Sequence, residues 1–225
     1  MSRSPGRRTG PKPSFSESDA VQAALSLGID RFTLGEVAKA LGVSTPSLYR
    51  VIESREHLTH LCLARAADRM ETLSADVDPG HSWQQIVRDY AAVFWQALEE
   101  YPGLAGAILG NPGAHAHVQG YLRMLRAALR EARFPGPDAD IDFVIDFVGD
   151  TALVTHLGVS AMRQTDSTGE LGITTTRRMV SEQSGPGEEP VLQADDSWVD
   201  RGWLDRKVEF IVAAVEAGIG VTGAV

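Results

Sequence analysis

Between Thr33 and Leu48 the chain starts a helix, stops it and starts another within a single short stretch. Thr33 is a good N-cap, and Glu36 three residues on completes a capping box, in which each side chain takes up the backbone N–H of the other residue. Leu34, Val37, Ala38 and Leu41 then keep the helical period. Gly42 ends this helix as a residue that tolerates positive φ. Ser44 or Thr45 starts the next helix at once, with Pro46 in its first turn, where a missing N–H is no loss. Two short helices joined by Gly42-Val43-Ser44 form a tight helix-turn-helix, with Ala38 at the close crossing and Val43 and Leu48 as the locking contacts.

The rest of the chain also carries helical periodicity. Ser16 with Asp19 caps a first helix whose apolar set is Val21, Ala24, Leu25 and Ile29. Long helices are expected over 55–76, 82–100, 140–162 and 203–217, with a short turn after Pro102 and an amphipathic helix through Val118, Leu122, Leu125 and Leu129. Residues 164–196 are rich in Ser, Thr, Gly, Glu and Pro and read as a flexible insertion. There is no internal repeat and no credible strand. The fold class is all-α: a basic tail over 1–13 expected to be disordered, a DNA-binding head over 14–60, and a helical body over 61–225.

The second helix of the motif leaves Thr45, Pro46, Ser47, Tyr49 and Arg50 on its open face, a surface sized for the major groove of duplex DNA. Hydroxyls reach phosphates or base edges, and an arginine can fork onto guanine. Ser44 and Thr33 place further hydroxyls at helix starts, beside the sugar-phosphate backbone. The run from Phe32 to Leu58, with its Thr-capped helix, Leu-Gly-Val-Ser, Leu-Tyr and Ser-Arg-Glu-His-Leu, resembles the N-terminal signature of the TetR family of regulators, and the likeness extends over about 16–61. The sequence departs from that pattern at Arg50-Val51-Ile52, where an aromatic or histidine pair often follows the tyrosine, and in a first helix that ends about a turn early. The resemblance implies a dimeric repressor on a near-palindromic operator, released by a small-molecule effector. It also implies that Tyr49 bonds a phosphate, that Arg55 clamps one, and that the helix after the motif links an effector cavity to the head.

The stripe Trp83, Val87, Tyr90 and Phe94, with Trp95 beside it, reads either as core or, by the resemblance, as lining of the effector cavity, and Phe143 and Phe147 are further candidates for a lipophilic pocket. Asp142, Asp146 and Asp150 recur at helical spacing, either as an acidic pocket lining or as a solvated face. Ile141, Ile145, Val148, Ala152 and Leu204, Val208, Ile211, Val215 form two narrow seams, expected to build a four-helix bundle with a twin subunit, the alternative being that both pack inside one subunit.

Net charge is −9, which at first argues against nucleic acid. Its distribution reverses the impression: residues 1–70 hold ten basic and seven acidic groups, four of the basic ones being Arg3, Arg7, Arg8 and Lys12. The one cysteine, Cys62, excludes an intrachain disulfide and suits a cytoplasmic protein. The apolar runs are broken by charge or too short for a bilayer, so no membrane partner is expected. No paired nucleophile and base, phosphate loop or metal-ligand spacing is present, so neither catalysis, nor a cofactor, nor a metal is expected; His115, His117 and His156 do not make a ligand set. The alternative is a helical interaction or scaffold protein that has lost DNA binding.

Overall fold

A computed structural model of the chain describes residues 15–75, 80–185 and 188–220. The expected basic tail over 1–13 lies outside the described residues. Among them, eleven α-helices and one 3-10 turn are connected by short loops, with one isolated bridge, Thr165 to Leu171, and no strand.

The head is built from α1 (Glu17–Leu27), α2 (Leu34–Ala40) and α3 (Thr45–Leu48). Both expected capping boxes form. The Ser16 and Thr33 hydroxyls accept the backbone N–H of Asp19 and Glu36, whose carboxylates accept in return. Those hydrogen bonds hold the Asp19 and Glu36 carboxyls below the usual carboxylate range. Gly42 takes φ +68, the left-handed turn that places α3 across α2, and Leu48, Ile52, Val37 and Ala38 are buried beneath.

α4 (Arg55–Ser74) leaves the head and runs into the body, so the expected boundary at residue 60 falls inside a helix. Its first half buries Leu58 and Cys62 against α1; its second half buries Ala66, Ala67 and Met70 against α5 (Trp83–Glu100). Burial pushes the Cys62 thiol up to about 12, so the reactive thiolate is not populated near neutral pH. The body continues with α6 (Leu104–Gly110), α7 (Ala114–His117), α8 (Gln119–Glu131) and α9 (Asp138–Arg163). α9 is long and apolar enough to cross a membrane by length and composition, contrary to the sequence reading. Half of that stretch is buried inside the protein, however, as befits the core helix against which α5, α6 and α8 pack. One continuous apolar core joins head and body.

Two expectations are corrected here. The segment 164–196 contains α10 (Gly172–Gln183), which lies on α9. Its composition predicted loop because only Ile173 is buried; the helix is held instead by Thr176 donating to the Met162 sulfur and by the Arg178 pairs with Glu170 and Glu182. The second correction concerns the seams. Ile141, Ile145, Val148 and Ala152, with Leu204, Val208 and Val215 of α11 (Leu204–Glu216), are buried within the single subunit, and Ile211 packs against the same core. The outer stripe of these helices carries Phe143, Val154, Leu157 and Phe210, all exposed. Helical period alone cannot tell a stripe that faces its own core from one that faces outward.

Candidate nucleic-acid interface and ligand cavity

The groove-reading surface is shorter than the sequence implies. α3 is a single turn, and Tyr49, Arg50 and Val51 continue it only through tight turns, Arg50 N–H to Ser47 and Val51 N–H to Leu48. Ser44 caps the turn through the Ser47 N–H, and the two hydroxyls share a hydrogen bond of 2.8 Å. Ser44, Pro46, Tyr49 and Arg50 are exposed, Tyr49 at 56 %, while Thr45 and Ser47 are half-buried. An aromatic side chain so open, beside two buried anchors at Leu48 and Ile52, is available to a partner. Thr33 is exposed as well, but its hydroxyl is engaged with Glu36.

Arg55 makes contacts that the sequence did not reveal. Its Nε donates to the Phe32 carbonyl and its Nη2 to that of Asp30, both at 3.0 Å, and the guanidinium lies 5.0 Å from the Phe32 ring centre. It therefore clamps the loop between α1 and α2 onto the start of α4, and the side chain stays exposed. The folded head is also close to neutral: Arg31, Lys39, Arg50, Arg55, Arg65 and Arg69 stand against seven acidic residues, so the positive excess belongs to the tail.

Behind the head, α4 to α9 surround a cavity of about 450 Å³. Tyr90, Phe94 and Asp146 are among the residues that line it. Trp83 does not, because it packs edge-on against Phe134. Trp95 points to the other side, edge-on to His156 and under Arg201, within the network that ties His156 and Arg163 to Glu99. Phe143 and Phe147 lie on each other along the outer part of α9, away from the cavity wall. Asp142, Asp146 and Asp150 all border the cavity while remaining exposed to solvent, Asp142 paired with Arg126. The rotation of α9, set by Ile141, Val148 and Ala152 in the core, decides which of its exposed side chains border the cavity.

Sequence reasoning missed the contribution of α4 and α8, namely Leu63, Met70, Tyr121, Leu122 and Arg123. The signal was present in α8, whose Tyr121, Leu125 and Leu129 are buried on one strongly amphipathic face. Gly149 was missed too: a side chain there would begin 2.8 Å from the Tyr90 hydroxyl, so its absence lets α5 and α9 cross closely at the cavity.

Cavity and head share structure at three places. α4 supplies cavity wall and head core alike. The Ile29 N–H donates to the Pro102 carbonyl at 2.9 Å, joining the exit of α1 to the turn before α6. There the Asp30 carboxylate rests on Gly103 (φ +80), where a Cβ would stand 2.0 Å from its oxygen. α6 in turn brings Leu104 and Ile108 to the cavity. Finally, His60 of α4 and His117 of α7 share a hydrogen bond of 2.8 Å. No three His, Cys, Asp or Glu side chains converge on a metal-sized site among the described residues.

No family model matches the sequence, and no curated protein is similar to it in sequence. Among solved structures, a protein from Streptomyces coelicolor A3(2), described as a possible TetR family transcriptional regulator, superposes with a TM-score of 0.68 at 21 % identity, over 91 % of this chain and 98 % of that one. A second Streptomyces coelicolor A3(2) protein, described as a candidate transcriptional regulator, gives 0.51 at 19 % identity, over 91 % and 96 % of the two chains. At such identities it is the course of the backbone that is shared: this chain has the all-helical fold, helix-turn-helix head on helical body, of the structure described as a possible TetR family regulator.

Proposed function

We propose that the protein is a DNA-binding transcriptional regulator that acts as a dimer on a near-palindromic operator and is released from it by a small molecule held in the cavity. The observation that carries this reading is that the cavity and the head share α4, and that α6, a cavity wall, abuts the loop leading into α2. A ligand that binds better to a rotated arrangement of α4 and α6 would draw the head with it, and the coupling is limited to that difference in affinity. Two heads must stand about 34–36 Å apart to enter successive major grooves, so a small rotation spoils both contacts. The twin subunit is assigned to the outer faces of α9 and α11, two packed helices on which Phe143, Val154, Leu157 and Phe210 are each exposed.

The near-neutral folded head favours a second reading, a helical interaction protein without operator binding. One experiment separates the two. In a gel shift with the DNA upstream of its own coding region, at fixed salt and with competitor DNA, the regulator forms a specific complex and the scaffold does not. Arg50→Ala should relax specificity and weaken the complex by about 1–3 kcal/mol, as loss of a base-reading fork does. Unchanged affinity on replacing both Tyr49 and Arg50 by Ala would exclude α3 as the reading element.

A further inference from the structure

We propose that the cavity takes an amphiphilic organic cation, an apolar body ending in one protonated amine, with the ammonium held at Asp146, Asp150 and the Tyr90 hydroxyl. The assignment rests on the reading of this cavity as the effector site and names the class of molecule it admits.

Tyr90 decides the charge. Its side chain is only 7 % exposed and lines the cavity, yet its hydroxyl has no hydrogen-bond partner among the described residues. The hydroxyl is not sealed into the core but opens on the cavity, where an occupant can complete its hydrogen bonding. The charges that reach this hydroxyl are negative: after burial and the neighbouring Tyr121, it is Asp146 and Asp150 that raise it above the ordinary tyrosine value. It therefore stays protonated, with oxygen lone pairs free to accept from an N–H. A carboxylate or phosphate placed there would meet two like charges, whereas an ammonium finds two opposite ones.

The remaining charges of the wall agree. Arg126 is committed to Asp142, which removes one anion and one cation together. Asp146 and Asp150 have no ion-pair or hydrogen-bond partner among the described residues. Arg123 also borders the cavity without an ion pair among the described residues, exposed as Asp146 and Asp150 are, but unlike them it does not figure among the charges acting on Tyr90. Gly149, one residue before Asp150, leaves the space in which the phenol oxygen reaches α9. The Tyr90 and Phe94 rings lie parallel, 6.1 Å apart, and offer π-faces to a cation. The rest of the wall, with Leu63, Met70, Ile108 and Leu153, is apolar and suits a hydrocarbon or aromatic body. Two carboxylates are too few for a bare metal ion, and no third ligand of that kind converges on them among the described residues.

The test uses three probes with one apolar body: 4-phenylbutylamine, 4-phenylbutanol and 4-phenylbutanoate, titrated by calorimetry into the full-length protein at neutral pH and fixed salt. The amine should bind at least about tenfold tighter than the alcohol, and the acid more weakly than either. In Asp146→Asn with Asp150→Asn the amine should lose its advantage while the alcohol keeps its affinity, which also shows that the cavity remains intact. Tyr90→Phe should lower amine affinity several-fold and leave the alcohol much less affected. Equal binding of the three probes, preference for the acid, no binding of the amine at millimolar concentration, or an amine preference that survives the double substitution would each overturn the proposal. A gel shift with the upstream DNA keeps the two readings apart. Amine binding as expected without any operator complex would remove the regulator and leave the cation site standing. An operator complex indifferent to charge on the probe would do the reverse.

Discussion

The Arg55 guanidinium holds the Asp30 and Phe32 carbonyls and lies over the Phe32 ring, three attachments that fasten the loop before α2 to the start of α4. Hydrogen bonds from a charged group to buried or half-buried carbonyls contribute about 1.5–3 kcal/mol each when intact, and partial exposure brings the pair toward the lower end. Arg55→Ala should therefore destabilise the protein by about 2 kcal/mol in urea unfolding. Arg55→Lys should recover less than half of that, because an ammonium cannot fork onto both carbonyls. Unchanged stability together with weakened DNA binding would return Arg55 to the phosphate role that the family resemblance implies. The identity of the residue was legible in the sequence. Its use was not, since Asp30 and Phe32 are brought to it by the turn of the chain after α1. The same holds for Tyr90, whose open hydroxyl depends on Gly149 of a helix far along the sequence.

At the scale of elements, the best-read parts are those whose signals are local. The capping boxes at Ser16 and Thr33 and the left-handed Gly42 need only their near neighbours, and each forms as expected. α10 and α7 were not read, because contacts from α9 and α4 hold them more than their own periodicity does. The α4–α7 contact carries a pH dependence. Burial, and then the neighbouring His60, lower the His117 ring below the ordinary histidine value of 6.5. The folded state thus disfavours the protonated ring. Its stabilising contribution is present above pH 6.5 and is lost as pH falls from there through the lowered value. Thermal unfolding followed from pH 7.5 to 5.5 should show a falling midpoint, and the fall should be smaller in His117→Gln (an acid range of about this width spans an ordinary histidine titration). Identical slopes in the two proteins would assign the acid sensitivity elsewhere, His156 being the next candidate, since burial lowers it too.

For the whole molecule, the exposed stripe of α9 and α11 is the feature that a single subunit leaves without use. Val154 is 63 % and Phe210 72 % exposed, on helices that pack on each other. Val154→Asp with Phe210→Asp should convert a dimer to a monomer in light scattering while changing monomer stability by no more than about 0.5 kcal/mol per site, as surface changes do. Ile145→Asp should instead unfold the protein, because it buries an unpaired charge beneath the stripe. A wild-type protein that is monomeric at micromolar concentration would sink the dimer. By itself the sequence determined the helical class and the capped head with its glycine turn, because each rests on neighbours within a few positions along the chain. Only the tertiary structure decided that the aspartates of α9 border the cavity while its phenylalanines do not, that the two apolar seams lie inside one subunit, and that Arg55 holds a loop. Those outcomes depend on the rotation of each helix about its own axis, which is set by packing against partners distant in sequence, and several stripes of α9 were apolar enough to compete for the interior.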